Sequence, residues 1–477
     1  MIAPTPGFVA VPPDALASLS ALVGAENLVT TQGELETLSK DCYWYSPVLK
    51  SRLDPRRAAA AVRPGSMAEL RAVLALAYAK DLPVTVRGGA TGNYGQCIPL
   101  CGGLVVDIGR LDSVLEVSAD GLLSAEPGAR VIKLEQAARE HGWELRCYPS
   151  TWVKSTLSGF IAGGSAGIGS ITWGGLRDNG TIKRIKLLTL EAEPREIVLE
   201  EADALKAFHA YGTNGVITEI QLRLAPARRW EQLIVTSPDW AALTSFVTGV
   251  ARDDAVPKRL VSLQEASFGA AFKPLKKWIA DGHAVSFFDV EESCAPALAE
   301  AARASGLTVA LTIPHHEPRR QPMLAEYGWN HATLWMMKAR PGHTYLQLGM
   351  GRDFAAQAEA LCARFPDQLH LHYEFVRGRS VAGAPAEVVA VLIPAVRFQS
   401  EEQLRAIISA AGELGIASGD PHTCYVEDGG KDPGVESKWA LKRETDPKGL
   451  LNPGKMKAEW AADAAGPREV FPVFLQP

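Results

Sequence analysis

The amino-acid sequence predicts an α+β protein of two domains. Two glycine-rich runs, residues 87–103 and 159–180, hold fourteen of the 43 glycines, and short β-rich segments surround the first of them. After residue 228 glycine becomes scarcer, helical periodicities alternate with short strands, and aromatic residues and histidines become frequent. The length of 477 residues allows two or three hydrophobic cores, because a typical domain takes about 150 residues.

The change in composition sets the predicted domain boundaries. Residues 216–224 alternate apolar and polar side chains, as a half-buried strand does, until Pro226 and two following arginines break the pattern. We therefore expect a first domain over 1–228 and a second over 229–417. Residues 418–477, again rich in Gly, Pro and Asp, are expected to return to the first domain and complete it.

The segment before the first glycine run has clear local signals. Ser66 and Glu69 form an S-x-x-E capping box, and apolar residues at helical spacing follow, which predicts a helix of about fourteen residues. Residues 83–86 (PVTV) and 104–108 (LVVDI) predict two strands with the glycine run between them. Further strands are expected over 181–190 and 216–224, and helices over 130–141, 241–251, 295–305, 355–364 and 401–414.

Composition excludes several classes of function. The net charge of -5 and the near balance of acidic and basic residues give no electrostatic surface for nucleic acid or anionic lipid. No run of about 18 apolar residues predicts a membrane span, and the N-terminus lacks the order of a signal peptide, so we expect a cytoplasmic protein. Seven scattered cysteines indicate reduced thiols, and the C-x3-C pair Cys97 and Cys101 is interpreted as structural.

The glycine runs predict a site for an anionic nucleotide. A glycine loop after a strand exposes several backbone N–H groups, which together can bind a phosphate or pyrophosphate. Neither run matches G-x-G-x-x-G, because Thr172 stands where the third glycine would follow Gly167 and Gly169, and neither contains G-K-[ST]. The sequence therefore argues against a Rossmann fold and against a P-loop.

A hydrolase motif competes for the second glycine run. Gly163, Ser165 and Gly167 satisfy G-x-S-x-G, the nucleophile elbow of α/β-hydrolases. Such an elbow needs a strand leading into the serine and a helix leaving it. The preceding residues, KSTLSGFIAGG, are small rather than β-rich, so a hydrolase remains only a remote alternative.

Four motifs together carry a resemblance to a known family. They are VRGGATGNYGQ with CGGLVVDIGRLD (86–112), TLSGFIAGGSAGIGSITWGG (156–175), GTNGVITEIQLRL (212–224) and DPKGLLNPGK (446–455). In this order they resemble the PCMH-type FAD-binding fold of the vanillyl-alcohol oxidase superfamily, and most of all its glycolate oxidase / D-lactate dehydrogenase type. The resemblance implies an FAD-binding domain of two α/β subdomains and a ferredoxin-like α+β cap that binds substrate.

The resemblance also implies which residues hold FAD. The first loop would bind the pyrophosphate, the second run would line the flavin, residues near 216 would lie at the adenine end, and the C-terminal motif would close the domain. The residues concerned are Arg87, Gly88, Gly89, Ala90, Thr91, Gly92, Asn93, Tyr94, Gly95, Thr156, Gly159, Ser165, Gly167, Trp173, Gly174, Val216, Ile217 and Asn452. Some relatives attach FAD through a histidine in the first loop. Residues 88–95 contain none, so we expect FAD to be bound non-covalently.

Candidate catalytic groups lie in the second half of the chain. His422, in the loop SGDPHTCYVEDGG, is the expected base for an alcohol proton, with Tyr425 beside it as an orienting group. Arg377 and Arg379 flank Gly378 and could clamp a carboxylate, and Tyr373 could contact substrate. Each of these could instead be an ordinary surface or core residue, and Trp329-Asn330-His331 is either a pocket element or a core tryptophan beside a turn.

The stretch LHLHYEFV leaves a metal site open. Strand alternation places His370, His372 and Glu374 on one face, which is a ligand set that suits a transition metal. Residues two apart on a strand are separated by about 6.7 Å, so all three reach one ion only on a bent strand. The alternative is an amphipathic strand whose polar face meets solvent or a pocket, and we expect no metal.

These observations together predict an FAD-dependent oxidoreductase that oxidises an alcohol or 2-hydroxy acid by hydride transfer to flavin. A phenolic substrate of the 4-alkylphenol kind is the alternative, since tyrosines could bind a phenolate. A small-molecule substrate is the expected partner. The electron acceptor, whether oxygen, a quinone or a carrier protein, stays open, as does the oligomeric state, for which a homodimer is one option.

Overall fold

The computed structural model describes residues 7–178, 180–315, 323–378, 386–428 and 434–457. Its helices are α1 Pro13–Val23, α2 Gln32–Leu38, α3 Pro47–Leu53, α4 Met67–Ala79, α5 Val131–Glu140, α6 Leu157–Gly163, α7 Ser170–Trp173, α8 Trp240–Arg252, α9 Ala266–Ala271, α10 Ala295–Ala304, α11 Trp329–Ala339, α12 Phe354–Arg364, α13 Glu401–Glu413 and α14 Val435–Thr445. The strands of the first half are β1 Leu28–Val29, β2 Ala60–Val62, β3 Val84–Arg87, β4 Leu104–Asp107, β5 Val114–Val117, β6 Leu122–Ala125, β7 Trp143–Leu145, β8 Ile182–Leu188, β9 Glu196–Glu200 and β10 Val216–Pro226. The strands of the second half are β11 Trp230–Ser237, β12 Lys258–Gln264, β13 Ala284–Glu291, β14 Thr308–Ile313, β15 His343–Tyr345, β16 Gln347–Gly349, β17 Leu369–His370, β18 His372–Arg377, β19 Val388–Leu392, β20 Ala395–Arg397 and β21 Ala417–Gly419.

Two sheets organise the first half of the chain. The first has the order β1-β2-β4-β3, in which β2, β4 and β3 run parallel. The second is antiparallel with the order β5-β6-β10-β8-β9, and β7 also pairs with β10. The first glycine run leaves β3 and leads into β4, as the sequence predicts. Because β3 and β4 pair with each other, both ends of this loop are anchored in the same sheet.

The second half forms an eight-stranded antiparallel sheet with the order β14-β11-β13-β12-β18-β19-β16-β21, and β15, β20 and β17 form a small sheet. Strand alternation divides its side chains between two cores. On β13, Phe288 and Val290 pack with α8, α10, α12 and α13, whereas Val285 and Phe287 point to a core shared with the first half. The large sheet therefore joins both halves of the molecule, and the predicted α+β fold is confirmed.

Local sequence signals explain the element boundaries. The Ser66 hydroxyl accepts a hydrogen bond from the Glu69 amide at 3.2 Å and begins α4, as the capping box predicts. The Glu69 carboxylate accepts from the Gly65 amide, one residue earlier than in the usual box. The predicted strand LHLHYEFV is interrupted at Leu371, so His370 lies in β17 of the small sheet and His372 begins β18 of the large one.

The C-terminal segment returns to the first sheet. The Val84 amide donates to the Leu450 carbonyl at 2.8 Å, and the Asn452 amide donates to the Val84 carbonyl at 2.7 Å. Leu450 and Leu451 are buried in the core of the first sheet. The chain beyond α14 thus lies beside β3, next to the point where the first glycine run begins.

Candidate functional site

Two adjoining cavities form one cleft along the glycine runs. The first, here called the glycine-lined cavity, is bounded by Val86, Gly88–Gly92, Thr156, Gly159, Gly212 and Val216–Ile217, among others. The second, the cap cavity, has a volume of about 380 Å³ and extends from Thr91–Tyr94 and Ser165 to Trp329–His331 and Gln347 of the second half. Thr91, Gly92, Gln96, Gly159 and Gly163 border both cavities. The cleft therefore runs from backbone-rich walls to walls made by large side chains.

Close backbone packing explains the glycines of the first loop. A Cβ atom at Gly88 would lie 2.1 Å from the Thr156 hydroxyl, and one at Gly89 would lie 2.2 Å from the Lys154 carbonyl oxygen. Ala90 has a φ of 48°, in the left-handed region. The loop thus touches the start of α6, where the Thr156 hydroxyl accepts from the Gly159 amide at 3.3 Å.

Side chains of the C-terminal return hold the loop in place. The Asn452 amide group donates to the carbonyls of Gln96 and Tyr211, at 2.7 and 2.6 Å, and the buried Lys455 ammonium donates to the Gly95 carbonyl at 2.5 Å. These bonds satisfy backbone oxygens that a turning loop would otherwise leave unpaired. The C-terminal motif DPKGLLNPGK therefore holds the first glycine run in place.

The structure brings most of the predicted cofactor residues to the cleft. Twelve of the eighteen line one or both cavities: Gly88, Gly89, Ala90, Thr91, Gly92, Asn93, Tyr94, Thr156, Gly159, Ser165, Val216 and Ile217. Six do not line either cavity: Arg87, Gly95, Gly167, Trp173, Gly174 and Asn452.

Instead of lining a cavity, these six have contacts that support its walls. Arg87 donates to the Lys40 carbonyl, and a Cβ at Gly95 would meet Leu53, so both support the loop from behind. Gly167 packs against the Tyr148 carbonyl, and the Arg146 guanidinium covers the Trp173 ring at 4.7 Å. Gly174, with a φ of 78°, ends α7. With Asn452, they shape the cleft without facing it.

The cap cavity contains an unusual segment at the start of α11. Trp329 has a φ of 50°, a conformation that a bulky side chain rarely adopts. Trp329 Nε1, Asn330 Oδ1 and His331 Nδ1 are all buried without a hydrogen-bond partner among the described residues. Backbone strain and unsatisfied polar atoms are costly, and where they occur together they mark functional segments.

His331 is suited to accept a proton. It lines the cap cavity, and burial, reinforced by the positive charge of Lys338, lowers the pKa of its imidazole. The ring is therefore neutral near pH 7 and can act as a base. No described residue forms a hydrogen bond with His331 Nε2. This atom is accessible, whereas Nδ1 is buried.

Two arginines line the cap cavity. Arg177, half-buried in the segment GGLRDNG, has neither an ion pair nor a hydrogen bond to any residue that the structure describes. Arg377 pairs with the Asp254 carboxylate and donates to the Ala386 carbonyl at 3.0 Å. Arg177 is thus the freer of the two to bind an anionic group. Arg379 lies outside the described residues.

His422, the predicted base, has both ring nitrogens engaged away from the cavities. Nε2 donates to the Tyr345 carbonyl at 2.9 Å, and Nδ1 lies 2.8 Å from the Ser46 hydroxyl, which also caps α3. Burial lowers the pKa of His422, which is 4% exposed. The ring is a neutral link between α3 and β15, and this geometry does not support the predicted role of His422 as base.

Tyr373 and Tyr425 also lie away from the cleft. Tyr373 is 1% exposed, and its ring packs against Trp240 at 6.3 Å and Phe354 at 5.0 Å in the outer core of the large sheet. Tyr425 lies beside Lys457 and lines neither cavity. Strand alternation turns Tyr373 to the face opposite Glu374, which removes it from any substrate role.

The hydrolase alternative has no support in the local structure. Ser165 lies in a loop after α6 rather than at the end of a strand, and its hydroxyl donates to the adjacent Ala166 carbonyl at 2.8 Å. A nucleophile elbow requires a strand before the serine and a base in contact with it. Neither is present among the described neighbours of Ser165.

The predicted common face of three metal-ligand residues is divided. His370 lies on β17 with Nδ1 at 2.9 Å from a Glu265 oxygen, whereas His372 Nε2 lies 2.8 Å from Glu374 Oε1 inside the large sheet. Across the described part of the chain, no three His, Cys, Asp or Glu side chains are grouped so as to hold a metal ion. The interruption at Leu371 separates the first histidine from the other two.

Sequence reasoning missed several cleft residues. His209 and Tyr45 line the cap cavity, and Asp41 lines the glycine-lined one. His209 Nδ1 donates to the Gly163 carbonyl at 2.8 Å, which leaves Nε2 to accept from the Tyr211 hydroxyl at 3.3 Å. Burial raises the pKa of Asp41 to about 6. Of these three residues, only His209 lies close to a sequence motif, GTNG at 212–215, that could have pointed to it.

Comparisons with known proteins give the class. Residues 58–190 match the FAD_binding_4 family, described as an FAD binding domain. The chain is 25% identical over 218 residues to the glycolate oxidase subunit GlcD of Escherichia coli (strain K12), which covers 44% of this chain and 43% of that protein. It is 27% identical over 251 residues to D-lactate dehydrogenase of Archaeoglobus fulgidus, covering 48% and 53%. It is 30% identical over 218 residues to D-2-hydroxyglutarate dehydrogenase of Xanthomonas citri pv. viticola, covering 43% of each.

Solved structures share the whole fold. An alkyldihydroxyacetonephosphate synthase superposes with a TM-score of 0.68 at 13% identity, covering 94% of this chain and 87% of the other. The 4-ethylphenol oxidase from Gulosibacter chungangensis superposes with a TM-score of 0.63 at 17% identity, covering 93% and 96%. The alignments with the three curated relatives span only about half of each relative or less. Fold and cleft thus define an FAD-binding protein. The matches bear out the predicted resemblance to FAD-linked oxidases and dehydrogenases, and residues 58–190 carry an FAD-binding domain.

The residues of the cleft fit FAD. The glycine-lined cavity is walled by backbone and small residues, as close approach to a pyrophosphate requires. Gly212 has open space where a Cβ would stand, with Val86 4.0 Å away as the nearest atom, so a side chain there would occupy the cavity. Gly88–Gly92, Thr156 and Gly159 would hold the dinucleotide.

In the described chain, no helix is long and apolar enough to cross a membrane.

Proposed function

We propose that this protein oxidises a small 2-hydroxy acid or related alcohol in the cap cavity, with FAD held by the glycine-lined cavity. The observation that carries the proposal is the continuity of the two cavities. Backbone walls suited to a dinucleotide lead directly to an accessible neutral histidine, His331, and to Arg177, which pairs with no residue that the structure describes. FAD supplies an acceptor for the hydride that leaves the substrate carbon.

The side chains of the cap cavity supply the proton acceptor and the substrate-binding group that an alcohol oxidation needs. His331 Nε2 takes the hydroxyl proton as the carbon–oxygen double bond forms. The Arg177 guanidinium binds the substrate carboxylate through charge-assisted hydrogen bonds, and Arg377 adds positive charge at the same cavity. Trp329 and Phe160 provide apolar walls that limit access of water. The relatives act, by their names, on glycolate, D-lactate or D-2-hydroxyglutarate, which are all 2-hydroxy acids.

A phenolic substrate is the second candidate, and the aromatic lining of the cap cavity favours it. Tyr45, Tyr94, Phe160 and Trp329 surround the cavity, and the Tyr94 hydroxyl donates to Gln347 Oε1 at 2.7 Å. Burial raises the pKa of Tyr94 and Tyr45, so both hydroxyls stay protonated. Each would donate to a phenolate in place of its present acceptor, which is Gln347 Oε1 for Tyr94 and the Asn330 carbonyl for Tyr45. A phenol without a carboxylate leaves Arg177 without a partner, which ranks this candidate second.

We also propose domain limits of 1–228, 229–417 and 418–477, binding of FAD without a covalent bond, and action in the cytoplasm. Acid precipitation tests the second point directly. We expect all flavin absorbance in the supernatant, whereas flavin that stays with the pellet contradicts non-covalent binding.

Anaerobic flavin reduction tests the proposed reaction. We expect the purified flavin-loaded protein to lose its absorbance bands in the visible when mixed with D-lactate or D-2-hydroxyglutarate, and not with 4-ethylphenol. Bleaching by 4-ethylphenol alone would establish the second candidate. Absence of bleaching by all three compounds would contradict both.

A further inference from the structure

We propose that Glu374 is a positioning residue that holds the first turn of α11, and with it His331, at the cap cavity. The inference rests on the proposed function of that cavity. Glu374 lies on β18, is 1% exposed, and lines neither cavity. It acts on the cavity through the backbone of Trp329.

Helix α11 begins without a capping side chain of its own. Its N-cap residue is Gly328, which offers no acceptor to the free amides of the first turn. The Trp329 amide instead donates to Glu374 Oε1 at 2.7 Å. A carboxylate at this end of a helix is also favoured by the helix dipole. Glu374 therefore supplies, from a neighbouring sheet, the cap that the local sequence lacks.

The same contact stabilises the strained residue. Trp329 has a φ of 50°, and a strained conformation persists only where its surroundings hold it. A Cβ at Gly328 would lie 2.9 Å from Glu374 Oε1, so the glycine is required for the close approach of the carboxylate. Because Asn330 and His331 follow at once, the conformation of Trp329 sets where their side chains lie.

Glu374 is itself held rigidly by neighbours on the sheet. Its Oε1 accepts from the Ser262 hydroxyl at 2.7 Å and from His372 Nε2 at 2.8 Å. Gln264 donates to the Ser262 hydroxyl at 2.5 Å, and the His372 ring packs 5.4 Å from that of Phe268. Ser262 and Gln264 on β12 are the direct strand partners of Glu374 and His372 on β18. This buried network fixes the carboxylate that caps α11.

Hydrogen exchange tests the cap independently of any substrate. In the flavin-loaded protein, we expect Glu374→Ala to speed amide exchange over residues 328–333 by about tenfold, because the strained turn opens locally. Glu374→Gln, which keeps an amide oxygen as acceptor, should restore much of the protection. Val261→Ala on β12 is the matched control, since Val261 packs in the outer core and opens no cavity at α11. Equal exchange in Glu374→Ala and Val261→Ala would overturn the inference.

A double-mutant cycle tests the route to the site. On the wild-type background, Glu374→Ala should lower kcat/KM by about 30- to 100-fold, because a misplaced catalytic group loses that much. On a His331→Gln background, the same change should cost less than about threefold, because its effect passes through His331. Equal losses on both backgrounds would show a general structural role and overturn the inference. If no substrate reduces the flavin, the proposed function fails, and the exchange experiment alone still decides the role of Glu374.

Discussion

The two ends of the cleft are built by different means. The glycine-lined cavity is made largely of backbone, and Gly88 and Gly89 leave no room for a side chain because the Thr156 hydroxyl and the Lys154 carbonyl oxygen lie 2.1 and 2.2 Å from where their Cβ atoms would stand. The cap cavity is made of large side chains, one strained backbone conformation and several buried polar atoms that have no hydrogen-bond partner among the described residues. The first end suits a ligand common to a superfamily, whereas the second suits one particular substrate. Variants at the two ends should therefore fail in different ways.

The largest effect is expected at the backbone end. Gly89→Val should weaken FAD binding by about 100-fold or more, because the added carbons meet the Lys154 carbonyl and force the loop out of place. The ratio of flavin to protein absorbance measures this, with circular dichroism to confirm that the chain folds. Gly249→Ala in α8, which has nothing within 4 Å of the new carbon, is the matched control and should bind FAD normally. A flavin-replete Gly89→Val would refute the backbone account.

A smaller and different effect is expected at the side-chain end. Arg177→Met should raise the KM for a 2-hydroxy acid by about 10- to 100-fold, because a hydrogen bond to a charged group contributes roughly 1.5–3 kcal/mol. FAD content should not change. Arg364→Met, which removes an exposed ion pair with Glu413 far from the cleft, is the control. Steady-state kinetics that show an unchanged KM would remove Arg177 from the substrate site.

The pH dependence should report His331. Because burial and Lys338 lower the pKa of this imidazole, its neutral base form persists below the ordinary value of about 6.5. We therefore expect kcat/KM to stay level as the pH falls to about 6.5, and to decline by up to about tenfold per pH unit only below the lowered pKa. A profile measured from pH 5 to 9 checks this. A midpoint at or above pH 7 for the acidic limb would point to another base.

The smallest effect is expected from Asp41 at the backbone end. Burial raises the pKa of this carboxyl to about 6, against the opposing charges of Lys455 and Arg87. Asp41 lines the glycine-lined cavity, so above pH 6 its ionised carboxylate would repel the phosphates of bound FAD, whereas below pH 6 the neutral acid would not. FAD affinity should thus rise about two- to fivefold between pH 7.5 and 5.5. Fluorescence titration should show this change in wild type and not in Asp41→Asn, and the same slope in both would exclude Asp41.

The sequence predicts correctly those features that depend on local backbone conformation. Glycine spacing, the capping box at Ser66 and the alternation in β10 are local signals, and they predict the loops, α4 and β10. The pattern around His422 predicts a base but does not reveal that Ser46 and Tyr345, far away in the chain, engage both nitrogens of its ring. Arg177 and the strain at Trp329 likewise depend on tertiary contacts, which no local periodicity reports.

We propose above all that His331, rather than His422, takes the hydroxyl proton of the substrate at the cap cavity. The most direct test is the rate of flavin reduction after anaerobic mixing of a hydroxy acid with flavin-loaded His331→Gln and His422→Gln, each normalised to bound flavin. We predict that His331→Gln slows reduction by about 100-fold or more, as loss of a general base does, while His422→Gln stays within about threefold of wild type. The reverse order, with His331→Gln as fast as wild type, would contradict the claim.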